Sequence, residues 1–216
     1  CAGCHTAIGT LAGEVKLNRE TGVFDMSDIA RKGVQCDMCH TIKESTRHLT
    51  PTLEPFNASI TLDPGEVKRG PYDDAESPYH DTAYSELHTR SEFCGNCHNV
   101  FHPVTFFPIE RTYDEWSKSV YAQAGIQCQD CHMSAQGFQT AGKSVYWKGK
   151  AAYMTVGSAP ERDKLYTHRF FGAHSESQIS GALRLEVVAP QQVSPGDEVA
   201  VVVRVHNEKT GHRMPT

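Results

Sequence analysis

Every cysteine of this chain falls in one of four copies of a single pentapeptide, Cys-x-x-Cys-His, at residues 1–5, 36–40, 94–98 and 128–132. Two thiols two residues apart, followed at once by an imidazole, can do three kinds of chemistry. They can exchange as a redox dithiol, share a zinc ion, or form thioethers to the vinyl groups of a haem whose iron the histidine ligates. The repetition decides among these. No cysteine is left over, and a zinc ribbon has no use for the following histidine. Four identical short spacings are also a poor way to cross-link distant parts of a chain through disulfides. The expectation is four covalent c-type haems, attached through Cys1, Cys4, Cys36, Cys39, Cys94, Cys97, Cys128 and Cys131. His5, His40, His98 and His132 are the expected proximal iron ligands.

A haem that only transfers electrons is usually six-coordinate, so each iron needs a second ligand from elsewhere. The chain has twelve histidines, of which His48, His80, His88, His102, His168, His174, His206 and His212 lie outside the motifs. A distal ligand must sit on a segment held close to a haem. His80, His88 and His102 bracket the third motif, His168 follows the fourth, and His212 sits in the turn Thr210-Gly-His-Arg-Met-Pro. These five are the distal candidates. His48 lies on an irregular loop and His206 on a strand, where ordinary structural roles suffice. Met154 and Met214 are weaker alternatives, since surplus histidines are available.

The elements that must position these groups read as short and irregular. Glu14 to Leu17 and Gly22 to Phe24 flank a turn and predict a hairpin. Residues 45–71 read mostly as loop, with one strand at 59–62 and a glycosylation sequon at Asn57. Residues 73–90 look helical, with His80 and His88 nearly on one face. A second helix is predicted from a capping box at Thr112 and Glu115 through to Gly125. Beyond 175 the composition shifts, and residues 183–188 and 199–205 predict two strands around a Pro-Gly-Asp turn. The fold class expected is therefore a multihaem cytochrome c, mostly irregular with short α-helices around four haems, plus a small β-rich, sandwich-like C-terminal segment. Residues 1–175 form the expected tetrahaem domain and 180–216 the β-rich segment, incomplete or completed by a neighbouring subunit.

Only 38% of the 216 residues are apolar, so side chains alone make a thin core and macrocycles must supply much of the buried surface. The formal charge of −5, with basic residues scattered, argues against a nucleic-acid partner. No apolar run is long enough for a membrane span. Haem attachment to cysteine implies an exported, processed chain, periplasmic or extracellular.

Three stretches carry a resemblance to a known group. These are Ser85-Glu-Leu-His-Thr-Arg-Ser-Glu-Phe-Cys-Gly-Asn-Cys-His98, Glu110-Arg-Thr-Tyr-Asp-Glu-Trp116 and Gly125-Ile-Gln-Cys-Gln-Asp-Cys-His-Met133. They resemble the exported multihaem cytochromes of metal-respiring bacteria and archaea, over most of residues 30–216. A tetrahaem chain of this size resembles the extracellular cytochrome filaments, or nanowires, whose subunits polymerise into one continuous haem chain. The resemblance implies bis-histidine ligation, with a ligand in some filaments coming from the next subunit. His80, His102, His168 and His212 match the family's ligand positions, whereas His174 stands at a non-ligand one. In that family the closing turn runs on into more β-structure, while this sequence stops at Thr216.

The functional expectation is a non-catalytic electron conduit, polymeric, with redox proteins or extracellular acceptors as partners. A soluble shuttle, the haem module of a larger protein, and a reductase of nitrogen or sulfur oxyanions with one open iron position are the alternatives.

Overall fold

A Cys-x-x-Cys-His stretch has the length of one helical turn, and each copy here winds as one. The computed structural model describes residues 2–136, 145–151 and 159–216. Helix α1 (Ala2–His5) carries the first motif and packs beside α2 (Ala7–Leu11). Gly9 of α2 lies so near Ala30 that an added Cβ would fall 2.4 Å from the Ala30 methyl, so only glycine fits. The predicted hairpin follows, with β1 (Val15–Leu17) antiparallel to β2 (Phe24–Met26), before α3 (Cys36–His40) carries the second motif.

The loop expected over 45–71 is more ordered than its prolines suggested. Strand β3 (Ile42–Ser45) pairs with β4 (Ile60–Leu62), the strand expected there. The helix expected over 73–90 does not form. Instead β5 (Val67–Gly70) pairs in parallel with β6 (Asp81–Tyr84), and a 3-10 turn over Glu86–Thr89 follows. Pro78 explains the failure, because it disfavours helix at Ser77 and lacks an N–H to donate. His80 and His88 consequently do not share a helix face.

Helix α4 (Glu92–Gly95) enters the third motif, whose turn is completed by the His98 amide donating to the Cys94 carbonyl at 2.8 Å. After this motif the chain forms the hairpin β7 (Val100–Phe101) and β8 (Pro108–Glu110). The helix expected over 112–125 breaks in two, α5 (Thr112–Ser117) and α6 (Val120–Gln123). The cause is Ser119, whose hydroxyl accepts from the Ala122 amide and caps a new helix. Thr112 is the first residue of α5 and not its cap; its hydroxyl turns to Glu110 and Thr216. Gly125, with φ of 74°, ends the unit as expected.

The fourth motif lies on α7 (Cys128–His132), which carries a capping box between Gln127 and Asp130. Beyond it, β9 (Trp147–Lys150) pairs with β10 (Glu161–Leu165), followed by the single turn α8 (Glu176–Ile179). Strands β11 (Leu183–Val188) and β12 (Val202–Asn207) pair antiparallel. Among the described residues this segment is one two-stranded sheet, with no second layer to make it a sandwich. The closing turn docks on α5 and α6: the Arg213 amide donates to Glu115, and Tyr121 Oη donates to the Lys209 carbonyl.

Few large apolar side chains are enclosed. The buried apolar set is Ala7, Ala30, Met38, Ile42, Phe56, Ala135, Phe171 and Ala182, and half of it is alanine. Polar groups take the innermost places, with Ser91, Asn96, Asn99 and Ser134 at most 1% exposed. Among the described residues no helix is long and apolar enough to cross a membrane.

Candidate haem-binding sites

On one helical turn, residues i and i+3 share a face, which brings the two cysteines of the second, third and fourth motifs together and leaves the intervening pair on the other side. In the second, third and fourth motifs that intervening pair anchors the turn to the rest of the chain. Met38 is buried, and Asp37 pairs with Lys68 at 3.1 Å. Asn96 donates to the Glu92 carbonyl and accepts from Ser45 Oγ at 2.9 Å. Gln129 donates to the carbonyls of His88 and Arg90. Asp130 collects Tyr146 Oη at 2.6 Å, Lys164 Nζ at 2.8 Å and Tyr166 Oη at 3.0 Å. Although burial opposes its charge, these donors hold the Asp130 carboxyl below its ordinary range.

The third motif is the hub of the arrangement. Cys97 lies near Cys4 of the first motif, each thiol perturbing the other, and Cys94 stands in the same relation to Cys128 of the fourth. Ser91 ties the last two together: its Oγ donates to Gln127 Oε1 at 2.8 Å and accepts from the Cys128 amide at 2.9 Å. Burial raises the thiol of Cys39 and pushes Cys131 up to about 12. None of the described cysteines is in a disulfide. Among the described residues no three His, Cys, Asp or Glu side chains cluster to hold a metal ion by themselves.

Histidine orientation gives the test of fit. A carbonyl only accepts, so a ring nitrogen bonded to one must carry the proton, which leaves the other nitrogen with its lone pair. His40 directs Nδ1 to the Arg69 carbonyl at 2.6 Å, and His132 directs Nδ1 to that of Phe171. His80 and His212 do the same with the carbonyls of Asp81 and Arg213, at 3.0 and 2.8 Å. His98 directs Nδ1 to the Glu110 carboxylate at 3.1 Å. The Glu110 carboxylate raises the His98 pKa, and His98 in turn lowers that of Glu110. All five rings therefore offer Nε2 to an electrophile.

Two histidine groupings follow. His132 and His212 have ring centroids 6.2 Å apart and planes 20° from parallel. His40 has two neighbours: His168 at 6.1 Å and 45°, and His88 at 5.9 Å and 21°. Imidazoles on opposite sides of one metal ion, each about 2 Å from it, have centres roughly 6 Å apart. The His132–His212 pair meets both distance and nitrogen polarity. Around His40, His88 Nε2 is committed to the Cys39 carbonyl at 3.1 Å, leaving its Nδ1 buried and unpartnered, which favours His168 over His88 as the second ring. Burial lowers the His88 pKa to about 4.

The other candidates are placed differently. His102 accepts the amides of Val104 and Thr105 on Nδ1, so the proton sits on Nε2 and the ring closes the β7–β8 turn. Among the described ring contacts, His5, His80, His98 and His102 have no histidine neighbour. His206 faces Glu186 at 3.4 Å on the sheet. His48 and His174 are exposed. Cys1 and Met154 lie outside the described residues, and Met214 precedes Pro215 in the closing turn. Asn57 is occupied structurally: its amide donates to the Phe101 carbonyl and accepts the Phe101 amide, both at 2.8 Å. Sequence reasoning missed Glu110, Asp130, Gln129 and Ser91 as supporting groups. Only the capping-box spacing of Gln127 and Asp130 was a readable signal.

No protein-family model matches the chain, and no curated protein matches it in sequence. In three dimensions it is similar to a penta-heme cytochrome c552 from Thermochromatium tepidum, known from a crystal structure. The TM-score is 0.56, with 16% identity over 99% of this chain and 51% of the other. The chain thus spans about half the length of that cytochrome, and its fold resembles that of a multihaem cytochrome c.

Proposed function

We propose that this chain is an exported tetrahaem c-type cytochrome that carries electrons without catalysing a substrate reaction. The observation that carries this reading is the His132–His212 pair, two imidazoles from separate parts of the chain set at the spacing of one bis-ligated metal ion. Covalent haem would supply a reversible one-electron couple at each motif. The cysteines would hold it through thioethers, which abolish the thiol titrations described above. His5, His40, His98 and His132 would serve as proximal ligands, with His212 opposite His132 and His168 opposite His40. The carbonyls of Arg69, Phe171 and Arg213 fix the tautomers so that Nε2 keeps its lone pair, and a second histidine at the His40 and His132 positions would leave no room there for a substrate. The proximity of Cys97 to Cys4 and of Cys94 to Cys128 supports short distances between attachment points, as electron hopping requires.

We further propose assembly into an extracellular filament. What supports this is the β11–β12 sheet. Leu183, Leu185, Val187, Val203 and Val205 share one face and are exposed, while Glu186–Arg204 and Arg184–Glu208 ion pairs occupy the other. Such a face is covered by further β-structure or by a neighbouring molecule.

Haem content by pyridine haemochrome, with electronic and electron paramagnetic resonance spectra, tests the first proposal. Four haems per chain, all low-spin and unreactive to carbon monoxide, is the expected result. A high-spin native haem, or turnover of nitrite, hydroxylamine or tetrathionate, would overturn it. Electron microscopy of concentrated protein tests the second, where monodisperse single particles count against a filament.

A further inference from the structure

Three proximal histidines have a described Nδ1 partner, and one of the three differs in kind. His40 and His132 donate to neutral backbone carbonyls, whereas His98 donates to a carboxylate. Glu110 is held to this task from several sides. Its backbone is registered against Val100 in the β7–β8 pair. Thr112 Oγ1 donates to the same Oε1 at 3.0 Å, and the Tyr113 amide donates to the His98 carbonyl at 3.0 Å. Ligand and carboxylate are thereby locked across one turn of chain.

A carboxylate on the far nitrogen of a metal-bound imidazole raises the basicity of the ligating nitrogen, and a charge-assisted bond does so more strongly than one to a carbonyl. A more basic ligand favours the more highly charged ferric ion. We propose that Glu110 is a positioning residue that lowers the reduction potential of the iron held by His98, and that of no other iron to a comparable degree. The inference rests on haem being bound at the third motif. Its consequence follows from where the third motif sits: Cys97 lies near Cys4 of the first motif and Cys94 near Cys128 of the fourth. An electron arriving there is biased to move on to a neighbour, so the third position becomes a step of short residence within the chain.

The test is Glu110→Gln in the full chain, titrated potentiometrically with each low-spin iron resolved by its electron paramagnetic resonance signal. Haem content and low-spin character of the parent protein are measured first. Their failure would overturn the proposed function, while leaving them intact isolates the role of Glu110. With four low-spin haems retained, the expected result is one couple raised by at least tenfold in its reduction equilibrium, which is 59 mV for one electron. The other three should move by much less. An unchanged set of potentials, or a uniform shift of all four, would overturn the inference. If Glu110→Gln does not retain four haems, Glu110→Asp is measured instead. A smaller upward shift of the same single couple supports the inference, and no selective shift refutes it.

Discussion

The ring centroids of His132 and His212 stand 6.2 Å apart with planes 20° from parallel, although one residue lies in the fourth motif and the other in the closing turn. Each donates Nδ1 to a backbone carbonyl, and the closing turn is clamped to α5 through Glu115. Replacing His212 by Ala should therefore open one coordination position and no other. The expected spectrum has one haem in four high-spin and binding carbon monoxide, with three unchanged. Four unchanged low-spin haems would show that His212 is not a ligand.

His168 and His88 compete for the place opposite His40, and the hydrogen bond of His88 Nε2 to the Cys39 carbonyl separates them. His168→Ala should produce one high-spin, carbon monoxide-binding haem. His88→Ala should leave four low-spin haems but remove a half-buried hydrogen bond to Cys39, lowering stability by about 1–3 kcal/mol in denaturant unfolding. The reverse pattern would assign His88 as the ligand.

Gly95 lies inside the third motif, against α5. A Cβ there would fall 2.6 Å from Tyr113 Cδ2 and 2.9 Å from Pro55 Cγ, in a region with little room to yield. Gly95→Ala should cost about 1–3 kcal/mol by the usual penalty of overpacking. Thermal unfolding should show this as an earlier transition, accompanied by a lower yield of fully haem-loaded protein.

Leu185 and Val203 lie on the apolar face of the β11–β12 sheet, at 64% and 55% exposure. Changing both to Lys removes apolar area that association would bury while leaving the backbone pairing intact. Light scattering at high concentration should show the double variant shifted toward the monomer relative to the parent, with identical absorbance spectra. Equal association by both would remove this face from the interface.

The four Cys-x-x-Cys-His motifs, the first hairpin, the strand near 60 and β11 were legible because their signals are local. Each depends on residue type and spacing within a few positions, which physical chemistry reads the same way in any context. The predicted helix over 73–90 failed for the opposite reason. Its apparent periodicity lost to Pro78 and to pairing with β5, a partner no local pattern names. The break at Ser119 is intermediate: a capping residue was visible, but two capping signals close together compete, and packing of the closing turn on α5 and α6 accompanies the outcome.

The sequence by itself thus determined which residues carry the chemistry: eight thiols, four adjacent imidazoles and a surplus of histidines. Only the tertiary structure decided which histidines lie near one another and which ring nitrogen several of them leave free. Those decisions rest on the carbonyls of Arg69, Phe171 and Arg213 and on the carboxylate of Glu110. A carbonyl is present at every residue and so leaves no mark in a sequence. What gives it meaning is where the chain brings it, and that is set by long-range packing.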